Sequence, residues 1–329
     1  MKQIALVVLL NLACVPTPPS VEDSGIEDAG FDGGVTDSGV ADSGVADAGL
    51  VDAGITDAGP YVPDPLVVAR PFSTVVPVGY TRGTPTPLVV LLHGYTATAA
   101  AQDAYFRLSA LAQQRTFLLA LPDGTIDSTG QHFWNATDAC CGFGQTVDDV
   151  AYVTAVIHDL QARYSVDPKR VFLVGHSNGA FMSHRLACDR SEFIAGIVSL
   201  AGAVWADPAR CTPSGPVNVL QVHGTLDPVI AYNGGVALAG QPPFPGAETT
   251  VATWAAKNQC TGATRQSIGG DLDLVTDLLG SETQREAFNG CPNGAAAELW
   301  RIRGAGHVPV FNADWANTLY TWLLAHPKP

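Results

Sequence analysis

A single α/β domain with a mostly parallel central sheet and helices on both faces is predicted for residues 65–329. Three observations predict it. Short apolar runs without internal charge recur at 88–92, 117–121, 171–174, 197–200 and 217–222. Val, Leu and Ile unbroken by polar residues mark strands covered on both faces, as parallel strands are. Helix-like segments lie between these runs, and strand, helix, strand repeated over this length is the pattern of an α/β domain. Composition supplies the third: 47% hydrophobic against 15% charged residues in a 329-residue chain is enough apolar material for a sizeable core.

The chain opens on something else. Residues 1–13 read as a signal peptide of the lipoprotein type: Lys2, then the apolar run 4–10, too short to span a bilayer. Asn-Leu-Ala-Cys follows, and its Cys14 is the candidate for lipidation, although Asn11 stands where the usual pattern prefers Leu. Residues 14–64 carry Asp-(Ala/Ser)-Gly units every five residues, at Asp37, Asp42, Asp47, Asp52 and Asp57. That period fits neither a helix stripe nor a strand alternation. With 11 acidic and no basic residues between Val15 and Asp64, the segment reads as a disordered, self-repelling linker. It lacks the closely spaced oxygen ligands of a calcium loop.

The net charge of -14 excludes nucleic acid as a partner, because its recognition needs a basic face. From Pro65 onward there are 20 acidic and 16 basic residues, so the acidity belongs to the linker and the substrate need not be cationic. No stretch reaches the roughly 20 apolar residues of a spanning helix, leaving a lipid anchor as the expected membrane contact.

Helices are predicted at 99–113, which is Ala-rich, and at 147–164, where Val150, Val153, Ile157 and Leu160 recur at spacings of three and four. Two more follow at 178–188 and 313–324. In open α/β sheets ligands bind beyond the carboxyl ends of the strands, so the chemistry belongs in the loops there.

The strand 171–174 runs into Gly-His-Ser-Asn-Gly (175–179), a Gly-x-Ser-x-Gly turn ahead of a helix. Small neighbours let such a turn lift a serine hydroxyl clear of the sheet, which makes Ser177 the candidate nucleophile. A serine needs a base, and the base an orienting acid. Asp227 follows the strand 217–222 in His-Gly-Thr-Leu-Asp-Pro, with Asp207 as the rival acid; His307 lies in Gly-Ala-Gly-His after the strand-like stretch 298–302. Oxyanion stabilisation needs two aimed N–H donors. We assign them to the backbones of Asn178, just past the nucleophile, and Tyr95, after the strand 88–92. His93, His158, His176 and His223 read as structural. With no His-Glu-x-x-His or other close ligand spacing, neither a metal nor a cofactor is expected.

These stretches, with Leu-Leu-His-Gly-Tyr (91–95), Leu-Pro-Asp-Gly (121–124), Phe-Trp-Asn (133–135), Cys-Cys-Gly (140–142) and Val-Asp-Asp-Val (147–150), resemble α/β-hydrolases, specifically secreted esterases of the polyhydroxybutyrate depolymerase and feruloyl esterase type. The resemblance implies Ser177, Asp227 and His307 as a triad hydrolysing a carboxylic ester. It also implies that Asp148 and Asp149 are structural elements beside the site. Relatives often carry Trp soon after the catalytic His, whereas this chain has Val-Pro-Val-Phe (308–311). Hydroxyalkanoate oligomers or feruloyl and acetyl esters are therefore the expected substrates, with Trp134 and Phe143 as candidate pocket residues. The alternative is a catalytically silent surface binding module on a hydrolase scaffold.

Setting Cys14 aside, six cysteines in an exported chain suggest disulfides. Six allow fifteen pairings; locality favours Cys260–Cys291 around a hairpin, Cys188–Cys211, and a vicinal Cys140–Cys141. The expected molecule is a monomer, secreted or held at the bacterial cell envelope.

Overall fold

Among the residues described by the computed structural model, 61–141 and 146–328, nine strands form one sheet. The expected signal peptide, Cys14, the linker as far as residue 60, and Phe143 lie outside the described residues. In chain order the strands are β1 (Ser73–Val75), β2 (Thr86–Leu92), β3 (Leu118–Leu121), β4 (Val166–His176), β5 (Gly196–Leu200), β6 (Asn218–Gly224), β7 (Arg265–Ser267), β8 (Thr283–Phe288) and β9 (Ala297–Ile302). Their spatial order is β1-β3-β2-β4-β5-β6-β9-β8-β7. The six from β3 to β9 are mutually parallel, whereas β1, β8 and β7 join antiparallel at the edges. The mostly parallel sheet is thus observed, and the hairpin expected between Cys260 and Cys291 is β7–β8.

Side chains alternate across a strand, and β2 shows what that does. Leu88, Val90 and Leu92 enter the core on one face, while Val89 and Leu91 enter the core on the other. The first core is closed by α4 (Asp149–Arg163), α5 (Asn178–Asp189) and α6 (Ala247–Lys257), the second by α2 (Ala99–Phe106), α3 (Leu108–Arg115) and α7 (Trp315–Ala325). A short α1 (Pro65–Ala69), capped by Asp64, precedes the sheet.

The helix expected over 99–113 is two. Arg107 takes a left-handed conformation (φ 61°) between α2 and α3, and the Asp103 carboxylate accepts the Ser109 N–H across the break. The Arg107 guanidinium donates to the carbonyls of Phe311 and Asn312 at 2.7 and 2.8 Å. Tertiary hydrogen bonds thus stabilise a break that the Ala-rich sequence does not signal. β4 also starts earlier than expected, because its charged first half, Asp167 to Arg170, conceals it. Among the described residues no helix is long and apolar enough to cross a membrane.

Candidate active site

Where β4 gives way to α5, Ser177 sits at φ 53° and ψ −121°, a region costly for a residue with a Cβ. Its neighbours show why the turn needs glycine. A Cβ on Gly175 would lie 2.3 Å from the Gly179 carbonyl oxygen, and one on Gly179 would lie 2.2 Å from the Leu92 carbonyl oxygen. Neither contact is possible for a side chain. The turn leaves Ser177 partly exposed at the rim, while Asn178 is buried and opens α5.

The three residues predicted from separate strand ends meet there. Ser177 Oγ lies 2.9 Å from His307 Nε2, and His307 Nδ1 lies 2.8 Å from Asp227 Oδ2. A carboxylate only accepts, so the Asp227 contact requires the proton on Nδ1 and leaves Nε2 able to accept from the serine hydroxyl. The second oxygen, Oδ1, takes the Val229 and Ile230 N–H groups at 2.8 and 2.9 Å. Burial by itself pushes the Asp227 carboxyl up. Hydrogen bonds from His223, His307 and the Val229 N–H outweigh that and hold it well below the usual carboxylate range. Asp207, the rival acid, is exposed and caps a short 3₁₀ turn through the Ala209 N–H.

Gly94 brings the Tyr95 loop to Ser177: a Cβ on Gly94 would sit 3.4 Å from that of Ser177. The Tyr95 hydroxyl donates to Asp127 at 2.8 Å, which ties this loop to the next. Trp134, expected to line a substrate pocket, is instead fully buried. Its indole N–H donates to the His93 carbonyl at 3.0 Å, and the Asn178 side chain brackets its backbone, accepting its N–H at 2.6 Å and donating to its carbonyl at 2.9 Å. Trp134 is thus held at its indole N–H and at both backbone groups, the latter by the residue that follows Ser177. The Asn178 amide also lies 3.7 Å from Cys140 Sγ, in the vicinal disulfide Cys140–Cys141. The other two bridges, Cys188–Cys211 and Cys260–Cys291, pair as locality suggested.

Asp148 caps α4 through the Ala151 N–H. Asp149 is wholly buried: one oxygen meets the Arg70 guanidinium at 2.7 Å, the other the Asn135 N–H at 2.7 Å. Both stand as supports, as the resemblance implied.

Residues 72–264 match the family model described as esterase PHB depolymerase. The chain belongs to that family. It is 29% identical over 70% of its length to feruloyl esterase B of Piromyces equi, and 30% identical over 73% to the putative esterase NocK of Nocardia uniformis. To poly(3-hydroxyalkanoate) depolymerase C of Paucimonas lemoignei it is 28% identical over 70%. The matched stretch spans 41% of the first relative, 68% of the second and 57% of the third. Among solved structures, an acetyl xylan esterase from Aspergillus awamori aligns over 77% of this chain and 93% of its own, with a TM-score of 0.55 at 16% identity, a likeness of fold.

Two histidines read as structural lie against the Ser177–His307–Asp227 arrangement. His176, beside the nucleophile, places Nε2 3.0 Å from the His307 carbonyl oxygen, and its ring lies 5.0 Å from that of His307. His223 has Nε2 3.5 Å from Asp227 Oδ2. Each lies at the end of a strand or next to it, within four residues of Ser177 or Asp227, the one sequence signal that singles them out. His93, Asp123 and His132 form a group with metal-ligand spacing among the described residues. His93 Nε2 already accepts the Gly124 N–H at 2.9 Å, and Asp123 the Ala99 N–H at 2.7 Å. With its lone pair directed at a backbone donor, His93 has none to offer an ion.

Proposed function

We propose that this protein is a serine carboxylic-ester hydrolase working through an acyl-enzyme. The carrying observation is the continuous contact Ser177–His307–Asp227 at 2.9 and 2.8 Å. Ser177 Oγ attacks the ester carbonyl carbon as His307 Nε2 takes the hydroxyl proton. The ester C–O bond then breaks, His307 returns that proton to the leaving alcohol, and Ser177 holds the acyl group. A water deprotonated by His307 adds next, and cleavage of the acyl–Oγ bond releases the acid and restores the serine. The N–H groups of Asn178 and Tyr95 stabilise the oxyanion. The position of Asn178 as the first residue of a twelve-residue helix supports this, since leading helical N–H groups lack intrahelical partners.

For the substrate, relatives named as feruloyl esterases, a poly(3-hydroxyalkanoate) depolymerase and a bifunctional acetylxylan esterase/xylanase support hydroxyalkanoate oligomers or feruloyl and acetyl esters. Leu226 and Val229 flank the acid, Val308 and Val310 follow the base, and all four are exposed, which favours an ester with apolar groups beside the scissile bond. The enzyme works as a monomer outside the cytoplasm, held by an acylated Cys14 on the acidic linker or released.

A panel of feruloyl, acetyl, hydroxybutyrate and lipid esters, with short p-nitrophenyl esters as reference, ranks the substrates. Ser177→Ala is expected to abolish hydrolysis of all of them and labelling by a fluorophosphonate probe, with an unchanged circular dichroism spectrum. Undiminished turnover by that variant removes the mechanism, and an unlabelled wild-type protein points to a silent binding module.

A further inference from the structure

Behind the triad acid runs a buried line of polar side chains, and three of its contacts can point only one way. Trp254 Nε1, a donor without acceptor capacity, lies 2.9 Å from His184 Nδ1. His184 Nε2 lies 3.1 Å from Gln221 Oε1. Gln221 Nε2 lies 2.8 Å from the Gly202 carbonyl oxygen and 3.2 Å from His223 Nδ1. His223 Nε2 reaches the Ile230 carbonyl oxygen at 2.8 Å and Asp227 Oδ2 at 3.5 Å. Trp254, His184 and Gln221 have no exposed surface, and His223 is 1% exposed. No solvent is at hand to substitute for a missing partner.

Trp254 and the Gly202 carbonyl set the polarity of the line from its inner end, and the Ile230 carbonyl, which also only accepts, requires the same polarity at its outer end. Because Trp254 can only donate, His184 Nδ1 must carry a lone pair, so the proton of the neutral ring sits on Nε2 and is given to Gln221. Because the Gly202 carbonyl can only accept, the Gln221 amide must turn its NH₂ that way, which independently places Oε1 toward His184. The second hydrogen of that NH₂ then points at His223 Nδ1 and makes it an acceptor, so the His223 proton lies on Nε2. Burial agrees, pushing the His184 ring down to about 4 and keeping it neutral.

We infer that His223 is a positioning residue of the proposed esterase reaction, locked by Trp254, His184 and Gln221 as the Nε2–H tautomer that holds the Asp227 carboxylate in register with His307. The locked N–H does two things. It tethers the carbonyl of Ile230, closing the turn whose N–H groups grip Asp227 Oδ1. It also presents a positive N–H end to Oδ2, the oxygen that orients His307. The other tautomer would aim a lone pair at both oxygens, and two repulsions would loosen the turn. His307 is thus aligned by an acid that is itself aligned from the protein interior, by residues of α5, β6 and α6.

This role rests on the esterase reading, so the test has one arm free of activity. In ¹⁵N-labelled protein at pH 7, imidazole nitrogen shifts report the tautomer directly. His223 is expected as Nε2–H in wild type, and an Nδ1–H ring overturns the proposal whatever the enzyme hydrolyses. The kinetic arm uses His223→Phe, which removes both ring nitrogens, and His223→Gln, whose amide restores a donor near the Nε2 position. With active sites titrated by a fluorophosphonate, His223→Phe is expected to lower kcat about tenfold, the rate equivalent of one hydrogen bond to a charged group. KM stays within twofold, and His223→Gln recovers most of the loss. Where His223→Phe does not fold, Gln221→Met, which deprives His223 Nδ1 of its donor, is expected to lower kcat about threefold and to yield a mixture of His223 tautomers. A kcat within experimental error of wild type in these variants overturns the proposal even while Ser177→Ala is inactive. Loss of that Ser177 dependence overturns the esterase reading instead.

Discussion

Asp227 is the residue on which most of the site's geometry converges. Its Oδ1 closes its own turn through two backbone N–H groups, while Oδ2 faces two imidazoles. A carboxylate without exposed side-chain surface and with this many donors is held in one orientation, and His307 inherits that orientation through Nδ1. Asp227→Asn nearly preserves shape but replaces an acceptor by an amide whose NH₂ can turn toward His307, favouring the wrong imidazole tautomer. By the logic of such triads, kcat is expected to fall about 10⁴-fold with little change in fold. Steady-state kinetics on p-nitrophenyl acetate with thermal unfolding of the same samples checks both halves. A variant as active as wild type would show that His307 is oriented by something else.

At the scale of elements, the loop beyond β3, which carries Trp134 and Asn135, is held in place by α4 and α5. Asp149, in the first turn of α4, joins the Arg70 guanidinium to the Asn135 backbone, and Asn135 follows the Trp134 that Asn178 clamps. The guanidinium also lies 3.4 Å above the Tyr152 ring. Removing one partner of a buried ion pair leaves the rest uncompensated, so Asp149→Ala is expected to destabilise by about 3 kcal/mol. Urea unfolding at pH 7 measures this, and a loss under 1 kcal/mol would mean that water readily replaces the carboxylate. Such supports are poorly legible in sequence. Five of the six parallel strands announce themselves, wholly or in part, as uncharged runs, whereas β9 carries Glu298 and Arg301; Gly175 and Gly179 around Ser177 mark a turn that few other residues could make. Asp227 and His307 follow because this chain order sets where a base and its acid must fall. Nothing local distinguishes Asp149, a helix-start aspartate like its neighbour Asp148, from an ordinary cap, since its importance lies in Arg70, 79 residues away. The break at Arg107 is hidden for the same reason: its partners are the carbonyls of residues 311 and 312. The burial of Trp134 could not be told from a pocket wall until its indole had a partner.

Over the whole molecule, the buried histidines make stability depend on acid in two stages. His176 is pushed down to about 3 by burial and by the neighbouring His307, and His184 to about 4 by burial, against an ordinary value of 6.5. Both stay neutral in the folded protein over a range where the unfolded chain takes up protons. Stability therefore declines as pH falls from about 6.5 to 4, because the unfolded state binds more protons throughout that window. At 1.36 kcal/mol per unit, His184 alone accounts for a decline of about 3 kcal/mol. Asp227 acts lower down and in the same direction. Its folded value is depressed below the ordinary 3.8, so the stability it contributes is complete above that value and is lost as pH falls beneath it. The formal charge of -14 plays little part in the first stage, since nearly two thirds of the acidic excess lies before residue 60 and most carboxylates remain ionised above pH 5. His184→Gln separates these contributions, because a glutamine can still accept from Trp254 and donate to Gln221 yet takes no proton. Urea midpoints measured every half unit from pH 7.5 to 4.5 are expected to decline steeply for wild type and to flatten visibly for this variant. Parallel curves for the two proteins would assign the acid sensitivity to groups other than the buried ring of α5.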